Sequence, residues 1–163
     1  MDSPQSAGTE QELLESHLQF ARDTLIRKAT GLSHELGRKR LGKTATSVLG
    51  IVKHMVDIEK IWFQLHFKGE QCQLYLDPEN DDSHFEIKPH ETAEHLLDEY
   101  RKACLRASQI CAQHKLDDLS ALSWDDGTRQ SLRWIYLHML DETARHNGHL
   151  DIYRELLDGQ TGL

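Results

Sequence analysis

Apolar residues recur with a helical period in four stretches of the chain, taking about 100° of rotation per residue. The first, about Glu10 to Thr30, aligns Leu14, Leu18, Ala21, Leu25 and Ala29 and meets its stop at Gly31. The second starts at Thr46 or Ser47, either of which can cap it, and runs to about Phe67 before Gly69. Its stripe is Val48, Ile51, Met55, Ile58, Trp62 and Leu65, which turns Lys53 and Lys60 toward solvent. A third helix follows Pro89, from Thr92 to His114, and buries Leu96, Tyr100, Ala103, Ala107 and Ile110. The fourth begins after the Asp125-Asp126-Gly127 turn and ends before Gly159.

The connections complete the expected architecture. Gly69 to His90 reads as a long acidic crossover in which Gln71 to Leu76 can form a short extended piece, with no partner strands for a sheet. Leu32 to Thr44 carries Arg38, Lys39 and Arg40 and a helical turn at Ser33 to Leu36. All three prolines fall outside helix interiors. The prediction is an all-α fold, a four-helix bundle with a long crossover between helices 2 and 3, occupying residues 10–163 behind a disordered tail of residues 1–9. A length of 163 residues suits one domain with one core.

Charge and cysteine content narrow the function classes. With 19 Lys plus Arg against 27 Asp plus Glu and no broad basic patch, nucleic acid is not an expected partner. No apolar run approaches the roughly 20 residues of a membrane span, and the polar N-terminus does not resemble a signal, so a cytoplasmic protein without membrane contact is expected. Three cysteines argue against a disulfide framework. Cys104 and Cys111 lie roughly 10 Å apart along one helix and read as small core residues.

The fourth helix contains a misfit. Its stripe runs Leu132, Ile135, Met139, then Glu142 and His146, then Leu150, Tyr153 and Leu157. An inward carboxylate must be neutralised, hydrogen-bonded or bound to a cation, because leaving it unpaired costs several kcal/mol. Glu142 and His146 are one helical turn apart, close enough to hold one ion. His54, at the edge of the second stripe, offers a third donor. Two imidazoles and a carboxylate would leave coordination positions open, as a catalytic metal site requires. The competing reading is a hydrogen-bonded Glu–His pair beside an ordinary core histidine. A di-iron site needs more inward carboxylates than the stripes supply; Glu59, at a stripe edge, is the one further candidate. Asp57, Trp62, Arg145 and His149 are placed to line the open side, and His149 could close the site as a fourth ligand. His138 lies off the middle of the stripe, and His17, His34, His66, His84, His90, His95 and His114 have no matching partner at ligand spacing.

The segments Leu49 to Phe63 and Ser131 to Asp151 resemble the mini-circle protein family within the DinB/YfiT-like superfamily, with similarity from about Leu13 to Gly162. The resemblance implies a four-helix bundle holding a divalent metal through one residue of the second helix and two of the fourth, here His54, Glu142 and His146. Glu142 stands where the superfamily usually has a histidine, and the related mycothiol-dependent maleylpyruvate isomerase also uses a His, Glu, His set for zinc. That isomerase carries a further C-terminal domain, so its reaction is not transferred.

By the same resemblance, the expected function is a metal-dependent thiol S-transferase. It would join a low-molecular-weight thiol of the mycothiol or bacillithiol type to a small electrophile. One divalent ion is expected, Zn²⁺ first, with Ni²⁺, Fe²⁺ or Mn²⁺ accepted by the same donors. The alternatives are a metal-dependent hydrolase and a non-catalytic metal- or ligand-binding stress protein. The partner is a small-molecule substrate, and a homodimer is compatible with the resemblance.

Overall fold

A computed structural model describes residues 3–41 and 46–162. The first two residues of the expected tail and the end of the expected Leu32 to Thr44 connection lie outside the described residues. Helix α1 spans Glu10–Ala29, the short α2 His34–Arg38, α3 Val48–Glu59, α4 Ala93–Cys111 and α5 Leu132–Asp158. Beyond Glu59, α3 continues as a π-helical segment, Lys60–Lys68. Among the described residues there is no strand, so Gln71 to Leu76 is not one, and no helix is long and apolar enough to cross a membrane.

Each of the helices α1 to α5 starts on a capping side chain. Thr9 and Glu12 form a capping box at α1, and Ser33 accepts from Leu36 N–H at α2. Of the two candidate caps for α3, Ser47 accepts from Gly50 N–H at 3.0 Å. Thr92 and Ser131 do the same for α4 and α5. Gly159, at φ +77°, ends α5 in the left-handed conformation.

Helix α1 packs mainly on α5, and α3 mainly on α4. Arg154 of α5 donates to the carbonyls of Lys28 (2.5 Å) and Thr30 (2.8 Å), satisfying acceptors that the end of α1 would otherwise leave bare. Asn147 reaches Ala21 O at 2.9 Å, and Lys28 pairs with Asp151. On the other side of α1, Arg22 lies buried and grips Glu59 with two hydrogen bonds of 2.6 and 2.7 Å. Glu59 is fully buried. Its charge is therefore taken up by Arg22, which removes it as a candidate metal ligand.

The π-helical segment changes which residues face inward. Hydrogen bonding from i to i+5 widens the turn, so residues four and five apart align instead of three and four. After Glu59 the core line passes through Phe63 and Phe67, and the expected inward pair Trp62 and Leu65 is only partly buried.

Helix α3 itself is enclosed on nearly every side: all its residues except Ile58 are buried. The crossover provides the cover. Lys53, expected at the surface, is buried and donates to Glu86 O at 2.6 Å while pairing with Glu91 at 3.0 Å. Asp57 accepts from Tyr75 N–H at 2.9 Å and Leu76 N–H at 2.7 Å. Phe85 O comes so near Gly50 that a Cβ there would lie 2.6 Å from it.

Three substitutions test this packing. Arg22→Met leaves Glu59 buried without a counter-charge and is expected to cost about 3–5 kcal/mol, with most of it recovered in the double variant Arg22→Met/Glu59→Leu, measured by urea unfolding. Gly50→Ala drives a methyl into the Phe85 carbonyl and should cost about 1–3 kcal/mol. Gly148→Ala, where the new Cβ meets no atom within 4 Å, should stabilise by about 0.5–1 kcal/mol.

Candidate metal centre

The α-helical half of α3 and the middle of α5 bring His54, Glu142 and His146 together. Each offers one donor atom, and these atoms lie within 4.8 Å of one another. His54 Nε2 is 3.3 Å and His146 Nε2 3.0 Å from the same carboxylate oxygen, Glu142 Oε1. Both imidazoles are buried, while the glutamate side chain is 19% exposed and opens the cluster to one side. Thr143, fully buried, occupies the centre of the α5 stripe, and Glu142 flanks it, turned toward α3.

Charge determines what this arrangement can hold. A deprotonated Nε2 and a carboxylate oxygen each present lone pairs, so positive charge, as protons or as a cation, must lie between them. Hydrogen bonds from His146 and then His54 hold the Glu142 carboxyl well below the usual carboxylate range, so it is ionised at neutral pH. Burial opposes protonation of His54 and lowers its pKa, against the pull of its Glu142 hydrogen bond. The Nδ1 atoms of His54 and His146 are buried without a protein partner, so no hydrogen bond there commits either ring to presenting a proton at Nε2. Two imidazoles and an ionised carboxylate, convergent and short of positive charge, fit a divalent cation.

The crossover builds the wall beside His54. Phe85 stacks on the imidazole at 4.5 Å with 17° between the planes, and His84 meets it edge-on at 4.5 Å. Burial, followed by the neighbouring His54, pushes His84 down to about 4, so it is a neutral ring. Sequence spacing passed over both residues, because they lie in a segment without periodicity. An aromatic pair inside an otherwise acidic loop was the available signal.

The four residues expected on the open side have different fates. Asp57 anchors the crossover and is fully buried. Arg145 is exposed, pairs with Asp141 at 2.7 Å and stands 4.0 Å from the outer oxygen of Glu142. His149 is exposed and meets His146 edge-on at 5.4 Å between ring centroids, outside the convergent set. Trp62 is half-buried against His138 at 4.4 Å. Cys104 and Cys111 are buried free thiols, as core residues should be, and Cys72 is a partly buried one.

These features define an all-helical protein of the DinB-like type. The chain belongs to the mycothiol S-transferase family, whose sequence model matches residues 13–159. Its fold is similar to that of a conserved protein of Enterococcus faecalis known from its crystal structure, with a TM-score of 0.74 over 94% of this chain and 100% of that one at 12% identity. No curated protein matches the sequence.

Proposed function

We propose that the protein is a divalent-metal-dependent thiol S-transferase, with His54, Glu142 and His146 as the metal ligands and a mycothiol- or bacillithiol-type thiol as cosubstrate. The observation that supports it is the convergence of two buried imidazole nitrogens and one ionised carboxylate oxygen in a chain of this family. Zn²⁺ suits these donors best, and Ni²⁺, Fe²⁺ and Mn²⁺ are also compatible with them. When bound, such an ion lowers the pKa of a thiol, so that the nucleophile is present as thiolate at neutral pH.

The surrounding side chains would hold and shield this chemistry. His54 and His146 present Nε2 from opposite helices, and the carboxylate of Glu142 supplies the negative charge. Phe85 and His84 keep water from one side of His54, leaving the Glu142 edge as the way in. In the transfer the sulfur forms a bond to an electrophilic carbon, the leaving group departs with the electron pair of the bond that breaks, and the thiol proton goes to solvent.

Elemental analysis of the purified protein and of His54→Ala, Glu142→Ala and His146→Ala tests the ligands. Each variant is expected to lose metal and thiol-dependent activity together; a fully metal-loaded His146→Ala protein overturns the assignment. Phe85→Ala, which removes a ring packed on a ligand, should weaken metal binding by roughly 10–100-fold without abolishing it. Consumption of thiol against a panel of electrophiles tests the reaction. Product formed at the same rate without thiol indicates hydrolysis by water and ends the transferase reading.

A further inference from the structure

We propose that Trp62, Trp134 and His138 form the binding shelf for the electrophilic substrate and select one carrying a flat, electron-poor ring. This rests on the transfer reading, since it assigns the second substrate of the same site. The sequence contains three tryptophans, and all of them gather here. Trp62 and Trp134 have ring centroids 5.4 Å apart, and Trp124 meets Trp134 edge-on at 5.6 Å. His138 lies parallel to Trp134, with 7° between the planes, and 4.4 Å from Trp62.

Position ties the shelf to the chemistry. Trp134, His138 and Glu142 follow one another at one-turn intervals on α5, so the aromatic column ends where the convergent donor set begins. Trp62 joins it from the π-helical segment, whose wide turns leave this ring partly exposed at the side facing α5 while Phe63 fills the core. Such segments are rare and frequently occur at functional sites. The loop that carries Trp124 is fixed to the end of the same segment, since Ala121 and Leu122 N–H donate to the carbonyls of Phe67 and His66 at 2.8 and 3.1 Å.

The rings are arranged to receive something flat. Trp134 remains 37% exposed and Trp124 47%, a poor use of large apolar rings unless another surface covers them. Trp62 is inclined to Trp134 by 50° and to His138 by 57°, so the three rings form one angled aromatic surface between two helices, against whose exposed part a flat ring can lie. Indole faces are electron-rich, so they attract rings depleted of electrons. An activated aromatic or quinone-like electrophile has that depletion by its nature, at the carbon that the thiolate attacks.

Binding can be read without turnover from the three indole N–H signals in a proton–nitrogen correlation spectrum. The probe is 2,4-dinitrotoluene, a flat, electron-poor ring without a leaving group, titrated into metal-free and zinc-loaded protein and compared with non-planar nitrocyclohexane. We expect saturable shifts at Trp62 and Trp134, and binding of the flat probe about three- to tenfold tighter than that of the cyclohexane. Trp134→Leu should lose that advantage, Trp134→Phe should keep most of it, and Ile152→Ala, at an exposed position further along α5, should change nothing. Equal binding of the two probes overturns the shelf. So do indole shifts that follow protein concentration alone together with a dimer mass in sedimentation, because the face would then be covered by a second copy. Flat-ring binding without any thiol consumption overturns the transfer reading and leaves the shelf, and thiol consumption without flat-ring binding does the reverse.

Discussion

The ion pair of Arg22 and Glu59 sits at the last α-helical residue of α3, and the arrangement of the molecule turns on that point. Glu59 has no access to water, so its charge requires a partner inside the protein, and the guanidinium of Arg22 meets it with two short hydrogen bonds. The pair docks α1 onto α3, and Arg22 also reaches Ser108 on α4 at 3.4 Å. On one side of it, α3 keeps the regular turn that aims His54 at α5. On the other side, the π-helical turns begin, Phe63 and Phe67 take over the core, and Trp62 moves to the face shared with His138. A buried pair of this kind adds little net stability over apolar packing. Its contribution is to fix how α1, α3 and α4 meet, and α5, packed on α1, brings Glu142 and His146 to His54 of α3.

A second constraint is the enclosure of α3. A helix buried on all sides is ordinarily apolar all round, yet this one carries Lys53, His54, Asp57 and Glu59. Each of these polar groups has its own partner: the crossover backbone and Glu91 for Lys53, Glu142 for His54, two crossover N–H groups for Asp57, and Arg22 for Glu59. The crossover is thereby held on α3 at three successive levels, with Gly50 allowing the closest approach. That attachment is why Phe85 and His84 are found against His54 and not in solvent. The long connection works as a wall of the site.

How much of this was legible in the sequence follows from where the helical period holds. In α5 and the first part of α3 it holds, so the wheel brought His54, Glu142 and His146 to one face of two helices, and the structure brings their donor atoms within reach of one another. The cap at Ser47 was legible as one of two candidates, because it is a local hydrogen bond between a side chain and the next turn. The period fails at Lys60, and with it the expected burial of Trp62 and Leu65. Lys53 and Asp57 were misplaced for another reason: their partners lie in an aperiodic crossover, and nothing local shows that such a segment will fold back over the helix. Arg22 was passed over because its only justification is a carboxylate on a different helix.

A carboxylate among the three convergent donors acquires a meaning once the walls of the site are considered. On the proposed reading, three neutral imidazoles around a divalent ion would leave a net charge of two within a pocket backed by Phe85 and the core. With Glu142 in the set, the net charge falls to one. A single thiolate then cancels it, and a neutral assembly is far less costly to hold in a low-dielectric setting than a charged one. With a cation held there, the carboxylate of Glu142 would thus favour a single anionic nucleophile. On the same reading, the electrophile would approach from the side where the aromatic column of α5 meets Glu142.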